Sequence, residues 1–396
     1  MKERAKGLFG AALLAMAFAA SAQPVSLRPE LVPPLRAAQE LLQQKKFAEA
    51  LAALAPADAV ADKSPQETWT LERLRAAAAS GAGDVPMTIR ALDAALGSGL
   101  APPAEQPALL EALVNANLGQ KRYAEAAQAA RRYLQLAPSP AMRSQLAQAL
   151  YQGADFQGAA AEALVLVQSG NPPAKGHLDL LAASYAQLKD EARYTGVLEQ
   201  LVTFYPSRDH WADLLVRIER SPGFDRRFAV DLFRLQFAAN AMLEGADYLE
   251  LAQMTLDAGY PAESAKVMEA GYATGVLGGG PDAEKHQRFR QQVAQRAQDQ
   301  LKALDAAALP AQAEALFQHG YALYTQGRVQ PGLAAMQQAV DKGGLAREGE
   351  ARLRLGFAQG RAGNPARAVE LLSEVQAAQA ADGSADIARL SKLLSK

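Results

Sequence analysis

The stretch KRYAEAAQAARRYLQLAP, Lys121 to Pro138, returns in outline 33 residues further on, where Phe156 with Ala159 repeats Tyr123 with Ala126. This recurrence constrains the fold more than any other feature, because so short a unit cannot bury its own apolar face and must stack on a neighbour of the same kind. Ala126 and Ala130 follow Tyr123 at +3 and +7, along one face of a helix. Small side chains there let two helix backbones approach, and the aromatic ring fills the space beside them. Pro138 stops the helix, since proline cannot continue the hydrogen-bond ladder. A preceding helix carries paired leucines, Leu110 and Leu113 before the first copy and Leu146 and Leu150 before the second.

The same frame extends in both directions. KKFAEALAAL supplies Phe47 and Ala50, and Pro206 closes a unit whose first helix reads HLDLLAASYAQLKD. Towards the other end, HGYALYTQGRVQPGLAAMQQAV carries Gly320 and Gly327, and LRLGFAQGRAGNPARAVELL carries Leu355, Gly356, Gly363 and Ala368. Gly327 and Gly363 suit the tight turn between two helices. Together these residues resemble the tetratricopeptide repeat, whose period is about 34 residues. The resemblance implies an all-α chain, a right-handed superhelical solenoid of antiparallel helix pairs. About nine pairs are expected, starting near residues 31, 69, 107, 140, 175, 208, 245, 313 and 349. Some are degenerate. The pair near 69 lacks the aromatic, that near 175 has Tyr194 where alanine is usual, that near 245 has Pro261 and Ser264, and RSPGF stands at the turn of the one near 208. The central stretch LVTFYPSRDHWADLLVRIERSPGFDRRFAVDLFRLQFAANAM is similar to exported proteobacterial proteins of this repeat type.

At 396 residues the chain exceeds one ordinary core, and its 49% apolar content is inflated by alanine, with only 6% aromatics. Long runs of Val, Ile and Thr are absent, which favours helices over sheet. The opening MKERAKGLFGAALLAMAFAASAQP places Lys2, Arg4 and Lys6 before an apolar run and small residues, the pattern of a secretory signal peptide over residues 1–22. The run is shorter than the roughly 20 residues needed to span a bilayer, so the mature chain is expected not to cross a membrane. Residues 23–30 then form a linker, 31–276 an N-terminal block of repeats, 277–312 a glycine-rich loop and a long polar helix, and 313–396 a C-terminal block. Gly278 to Gly280 suggest a mobile loop or hinge, and the helix after it reads either as a solvated spacer or as a partner-docking arm. The chain has no cysteine, which excludes disulfides, thiolate catalysis, sulfur-bound zinc and a lipid anchor at the end of the apolar run. Its formal charge is −1 before cleavage, and no basic block supports nucleic-acid binding.

No catalytic pattern emerges. His177, His210, His286 and His319 lack metal-ligand spacing, with His319 at a position where the repeat places a core leucine. GVLGGGPD lacks the Lys-Ser/Thr ending of a phosphate loop. Neither an enzyme nor a bound cofactor or metal is expected. The resemblance implies binding along the face formed by the first helices, which directs attention to Glu111 and Asn115, to Ser144, Gln148 and Tyr151, to Glu250 and Gln253, and to the aromatic stripe Phe317, Tyr321 and Tyr324. The aromatics admit two roles, ligand groove or packing between helices. Asn115 stands without the basic set of a peptide-carboxylate clamp. The expected role is a periplasmic scaffold for a protein or peptide partner in cell-envelope assembly or secretion, with a polysaccharide as the alternative partner in the same groove.

Overall fold

A computed structural model describes residues 27–378 and 380–395, so the expected signal peptide lies outside the described residues. Among the described residues every regular element is a helix. The chain divides into two units at Val197/Leu198.

In the first unit the helices come in hairpins: α1 (Val32–Gln43) with α2 (Phe47–Asp58), α3 (Pro65–Ala82) with α4 (Val85–Gly97), α5 (Gln106–Gly119) with α6 (Tyr123–Leu136), and α7 (Pro140–Gln152) with α8 (Phe156–Ser169). α9 (Lys175–Leu188) follows and turns into α10 (Glu191–Phe204), within which the boundary falls. Each second helix packs on the next first helix, α2 on α3, α4 on α5, α6 on α7 and α8 on α9. The alanines singled out above sit where backbones meet: Ala126, Ala130 and Ala159 are buried. Leu109, Leu110, Leu113 and Val114 of α5 fill the seam, each contributing about 1.5–3 kcal/mol by burial.

One turn closes every hairpin. A single residue adopts left-handed backbone, and the next N–H bonds to the carbonyl five residues back: Lys46 to Leu41 at 2.9 Å, Asp84 to Ala79 at 2.9 Å, Arg122 to Asn117 at 2.9 Å, Asp155 to Leu150 at 2.8 Å and Asp190 to Tyr185 at 3.0 Å. Glycine was expected at the left-handed position. In this unit only Gly83 meets that expectation, while Lys45, Lys121, Ala154 and Lys189 adopt it with φ between 56° and 62°. A side chain there costs about 1 kcal/mol, which the paired helices offset. The aspartate that follows in three turns caps the second helix, as Asp155 Oδ1 does for the Gly158 N–H at 2.9 Å.

The start of the unit is clipped by charge. Arg28 donates from Nε and Nη2 to the two oxygens of Glu67, both at 2.9 Å, while Ser64 and Glu67 form a reciprocal capping box at the head of α3. The Arg28 side chain, with the backbone N–H groups of Ser64 and Arg28, pulls the Glu67 carboxyl down to about 2.

The second unit begins in α10 and continues through α11 (Arg208–Glu219) and α12 (Ala229–Ala238) to the hairpin α13 (Gly245–Asp257) and α14 (Pro261–Ala273). α15 (Ala283–Ala306) leads to the hairpins α16 (Ala313–Thr325) with α17 (Val329–Lys342) and α18 (Glu348–Arg361) with α19 (Pro365–Ala377), and the short α20 (Ser384–Ser391) ends the described chain with a final turn. The hairpin turn recurs at Gly259, Gly327 and Gly363, here with the expected glycine. It does not join α11 to α12. RSPGF instead opens into an irregular link with Gly223 at φ +98°, so the pair expected near 208 is two helices without the repeat's turn. At the α16–α17 crossing the backbones nearly touch, and a Cβ on Gly320 would lie 2.8 Å from the Gly332 carbonyl oxygen and the Met336 nitrogen.

The glycine-rich loop is anchored at its first end, while Gly279 and Gly280 are exposed. Leu277 is buried, and Gly278 at φ +87° lies against the Tyr272 ring, where a Cβ would come within 2.4 Å. α15 packs along α14 through Arg290, which bonds Glu269 and lies 4.4 Å from the centre of the Tyr272 ring, and through Gln300 Nε2, which donates to the Gly259 carbonyl at 2.8 Å. α15 is also tied to the hairpin that follows by Gln326 Nε2, which donates to the Ala297 carbonyl at 2.7 Å. Residues 277–312 thus lie inside the second unit.

Candidate functional site

In the first unit the first helices carry a run of neutral polar side chains. Asn115 on α5 accepts from Gln145 Nε2 on α7 at 3.2 Å, and Ser144 on α7 lies 3.3 Å from His177 Nε2 on α9. Spacings of 30 and 33 residues link these pairs, so the repeat period itself sets one helix's polar group beside the next. Gln148 and Glu111 on the same helices are exposed. Tyr151 is half-buried, its ring edge-on to Phe156 at 5.4 Å.

Beside this run lies an open cleft of about 610 Å³. Ser80 to Gly83 at the end of α3, Val85 and Thr88 at the start of α4, and Ala112, Asn115, Ala116 and Gly119 on α5 line it. The space exists because the residues facing it are small. No charged side chain lines it, and Asn115 is its one amide. Such a cleft takes an uncharged chain segment that offers hydrogen bonds to Asn115 and small or apolar groups to the alanines. The Ser144–His177 pair has no carboxylate bonded to the imidazole among the described residues, so it lacks the third member that orients a catalytic base. Among the described residues no group of His, Asp and Glu is arranged to hold a metal ion, and no helix is long and apolar enough to cross a membrane.

The second unit places the remaining candidates differently. Glu250 and Gln253 on α13 are exposed, and Gln253 Nε2 donates to Asp257 at 2.8 Å. Phe317 and Tyr321 are interior residues at 6% and 2% exposure, and Tyr324 is half-buried. Of the two roles open to the stripe, the structure gives Phe317 and Tyr321 packing: Tyr321 sits edge-on to Tyr260 at 4.6 Å, inside the core shared by α16, α17 and α18. Tyr321 borders only a space of ≈ 10 Å³, whereas Phe317, though largely buried, also forms part of the wall of a cleft of ≈ 220 Å³ with Glu314, Arg347, Glu350 and Arg354. Helical spacing alone could not decide this, because a position on the stripe satisfies the same spacing when it turns inward, as Tyr321 does against Tyr260.

A buried charge network covers the other side of Tyr321. Arg234 on α12, 4% exposed, bonds both oxygens of Glu263 at 2.9 and 2.7 Å and Asp231 at 2.9 Å. Its guanidinium lies 4.9 Å from the centre of the Tyr321 ring. Arg354 on α18 reaches the same Asp231 from Nε at 3.0 Å and Nη2 at 2.9 Å. Burial works against the Arg234 charge, but Glu263, Tyr321 and Asp231 outweigh it and hold its pKa well above the usual range. Burial likewise pushes the Tyr321 phenol up. Sequence reasoning passed over this network, although the signal is present: in AVDLFRLQF, Asp231 and Arg234 interrupt an apolar run at i, i+3 spacing. All its charges are paired, so it is built to hold helices together rather than to bind.

No protein-family model matches the sequence, and no curated protein matches it. Among solved structures the chain is similar to that of Naa15/Naa10 bound to HypK-THB, with 14% identity, a TM-score of 0.29, and coverage of 86% of this chain and 62% of that one. The chain therefore spans less than two thirds of that neighbour's length. It is also similar to the TPR2AB domain of yeast Sti1 in its pHSP90 complex, with 13% identity, a TM-score of 0.25 and coverage of 74% and 100%. The P58(IPK) TPR domain is a third, with 12% identity, a TM-score of 0.24 and coverage of 91% and 98%. Likeness at these scores adds nothing on activity or partner, and the fold stands on the recurring turn and helix pairing: stacked antiparallel hairpins of the tetratricopeptide type.

Proposed function

We propose that the protein is an exported scaffold that holds a protein partner, in extended form, along the first helices of the first unit. The observation that supports this most is the cleft of ≈ 610 Å³ lined by Asn115 and small residues, continuous in chain order with the Asn115–Gln145 and Ser144–His177 pairs. Neutral amides and hydroxyls at repeat spacing suit the regular backbone of a bound chain, whose N–H and C=O groups also recur at fixed intervals. The periplasm is the compartment we assign, on the residues 1–22 pattern, and cell-envelope assembly or secretion is the proposed setting.

A photo-crosslinking amino acid at Gln148, compared with one at exposed Gln128 on the second helix α6, tests the site in cells. A discrete protein adduct from position 148, absent from 128 and reduced by Asn115→Ala, is the expected result. Identical adducts from both positions, or none from 148, would overturn it. An adduct that polysaccharide-degrading enzymes remove would point to the carbohydrate partner instead.

A further inference from the structure

The geometry points to residues 380–395 acting as a releasable strap that holds the second unit shut. It does not depend on the binding face proposed for the first unit. α18 and α19 already form a complete hairpin, with the Asn364 N–H bonded to the Gln359 carbonyl at 2.9 Å, so the segment after them is not needed to finish a repeat. It runs instead to the link between α11 and α12. The Asp225 N–H donates to the Asp382 carbonyl at 3.0 Å, and Arg227 Nη2 meets the Asp382 carboxylate at 2.6 Å. Two glycines make the approach possible: a Cβ on Gly383, at φ +91°, would fall 2.4 Å from the Phe224 ring, and one on Gly223 would fall 2.8 Å from the Ala381 carbonyl oxygen. Arg389 reaches Glu199 at 2.5 Å.

Beyond this link α20 lies over the charge network. Ile387 and Ser391 join Asp231, Arg234, Tyr321 and Arg354 around a residual space of only ≈ 10 Å³. The inner face of the strap is mixed: Ile387, Ala388 and Leu390 are buried, but so are Ser384, Ser391 and Ser395, and Ser391 Oγ has no hydrogen-bond partner. A short helix with few apolar anchors and polar ties is held less firmly than a hairpin interior such as Leu355, Leu371 and Leu372. Release of the strap alone therefore uncovers a charged cleft while the hairpins stay folded.

Because the chain has no cysteine, one introduced thiol reports one place. Full-length Ile387→Cys and Leu355→Cys, each alone and with Arg227→Ala, are labelled under native conditions. Ile387→Cys is expected to react at least about tenfold faster than Leu355→Cys, and Arg227→Ala to speed the first by a further factor of about two to five without moving the second. Equal rates at the two positions, or acceleration of both together, would show that the segment opens only when the whole unit unfolds and would overturn the proposal. Since Ile387→Cys itself loosens its site, hydrogen exchange of the unsubstituted chain supplies a second measurement. Weaker protection over 384–391 than over 351–359 supports the strap, and equal protection overturns it.

Discussion

The first unit holds itself together by contacts between helices that follow one another, whereas in the second the chain returns on itself and joins α12 to α18 and α20. The chemistry changes with the connectivity. Successive hairpins are built on alanines and leucines at a fixed period, and most of their polar side chains are left for the surface. Closure needs a specific match between distant segments, and here it is made by Asp231, Arg234, Glu263 and Arg354 in a buried network. Buried ion pairs add little net stability over apolar packing, but breaking one leaves an uncompensated charge inside, so they penalise wrong pairings.

The two tryptophans let the units be followed separately, since Trp69 lies in the first and Trp211 in the second. Removal of the central cation should have the largest effect. Arg234→Ala strands Glu263 and leaves Asp231 to Arg354 alone, and is expected to lower the stability of the second unit by about 3–5 kcal/mol, seen as an earlier urea transition in a Trp211-only variant. An equal shift in a Trp69-only variant would break the contrast between the units. Next comes Gly320→Ala, which drives a Cβ into the α17 backbone and should cost about 1–3 kcal/mol in the same Trp211 signal.

In the first unit the expected changes are smaller. The carboxyl of Glu67 is held below its ordinary 4.5, at about 2, so its clip to Arg28 stabilises the fold fully above pH 4.5 and is lost as the pH falls through about 2. Glu67→Gln should flatten the acid limb of the Trp69 transition across that window, and an unchanged limb would show that the clip is not coupled to folding. The smallest effect is a gain. Lys121→Gly relieves a left-handed residue and should stabilise the first unit by up to about 1 kcal/mol, and a loss would show that the lysine side chain, rather than the backbone, matters at that turn.

The same contrast explains what could be read from the residues. The hairpins at 32, 106, 140, 175 and 245 begin within a residue or so of the positions expected from the period, because local spacing both encodes and builds them. The turns were legible only where glycine marked them. Lys45, Lys121, Ala154 and Lys189 adopt the same backbone without a glycine to announce it, since hairpin packing offsets the strain. RSPGF, which departs from the repeat, is the place where residues 381–383 dock, and no periodic pattern can show a contact made only once. Spacing alone left the aromatic stripe open for a related reason: Phe317 and Tyr321 obey helical spacing equally well facing inward, and both are largely buried.

The Arg227–Asp382 bond spans 155 residues of sequence. A chain that emerges from its N-terminus can complete each early hairpin as soon as its two helices are out, through contacts of low sequence separation. The second unit must wait until residue 382 has appeared, so the order of synthesis places its closure after the early hairpins and leaves it exposed to misassembly for longer.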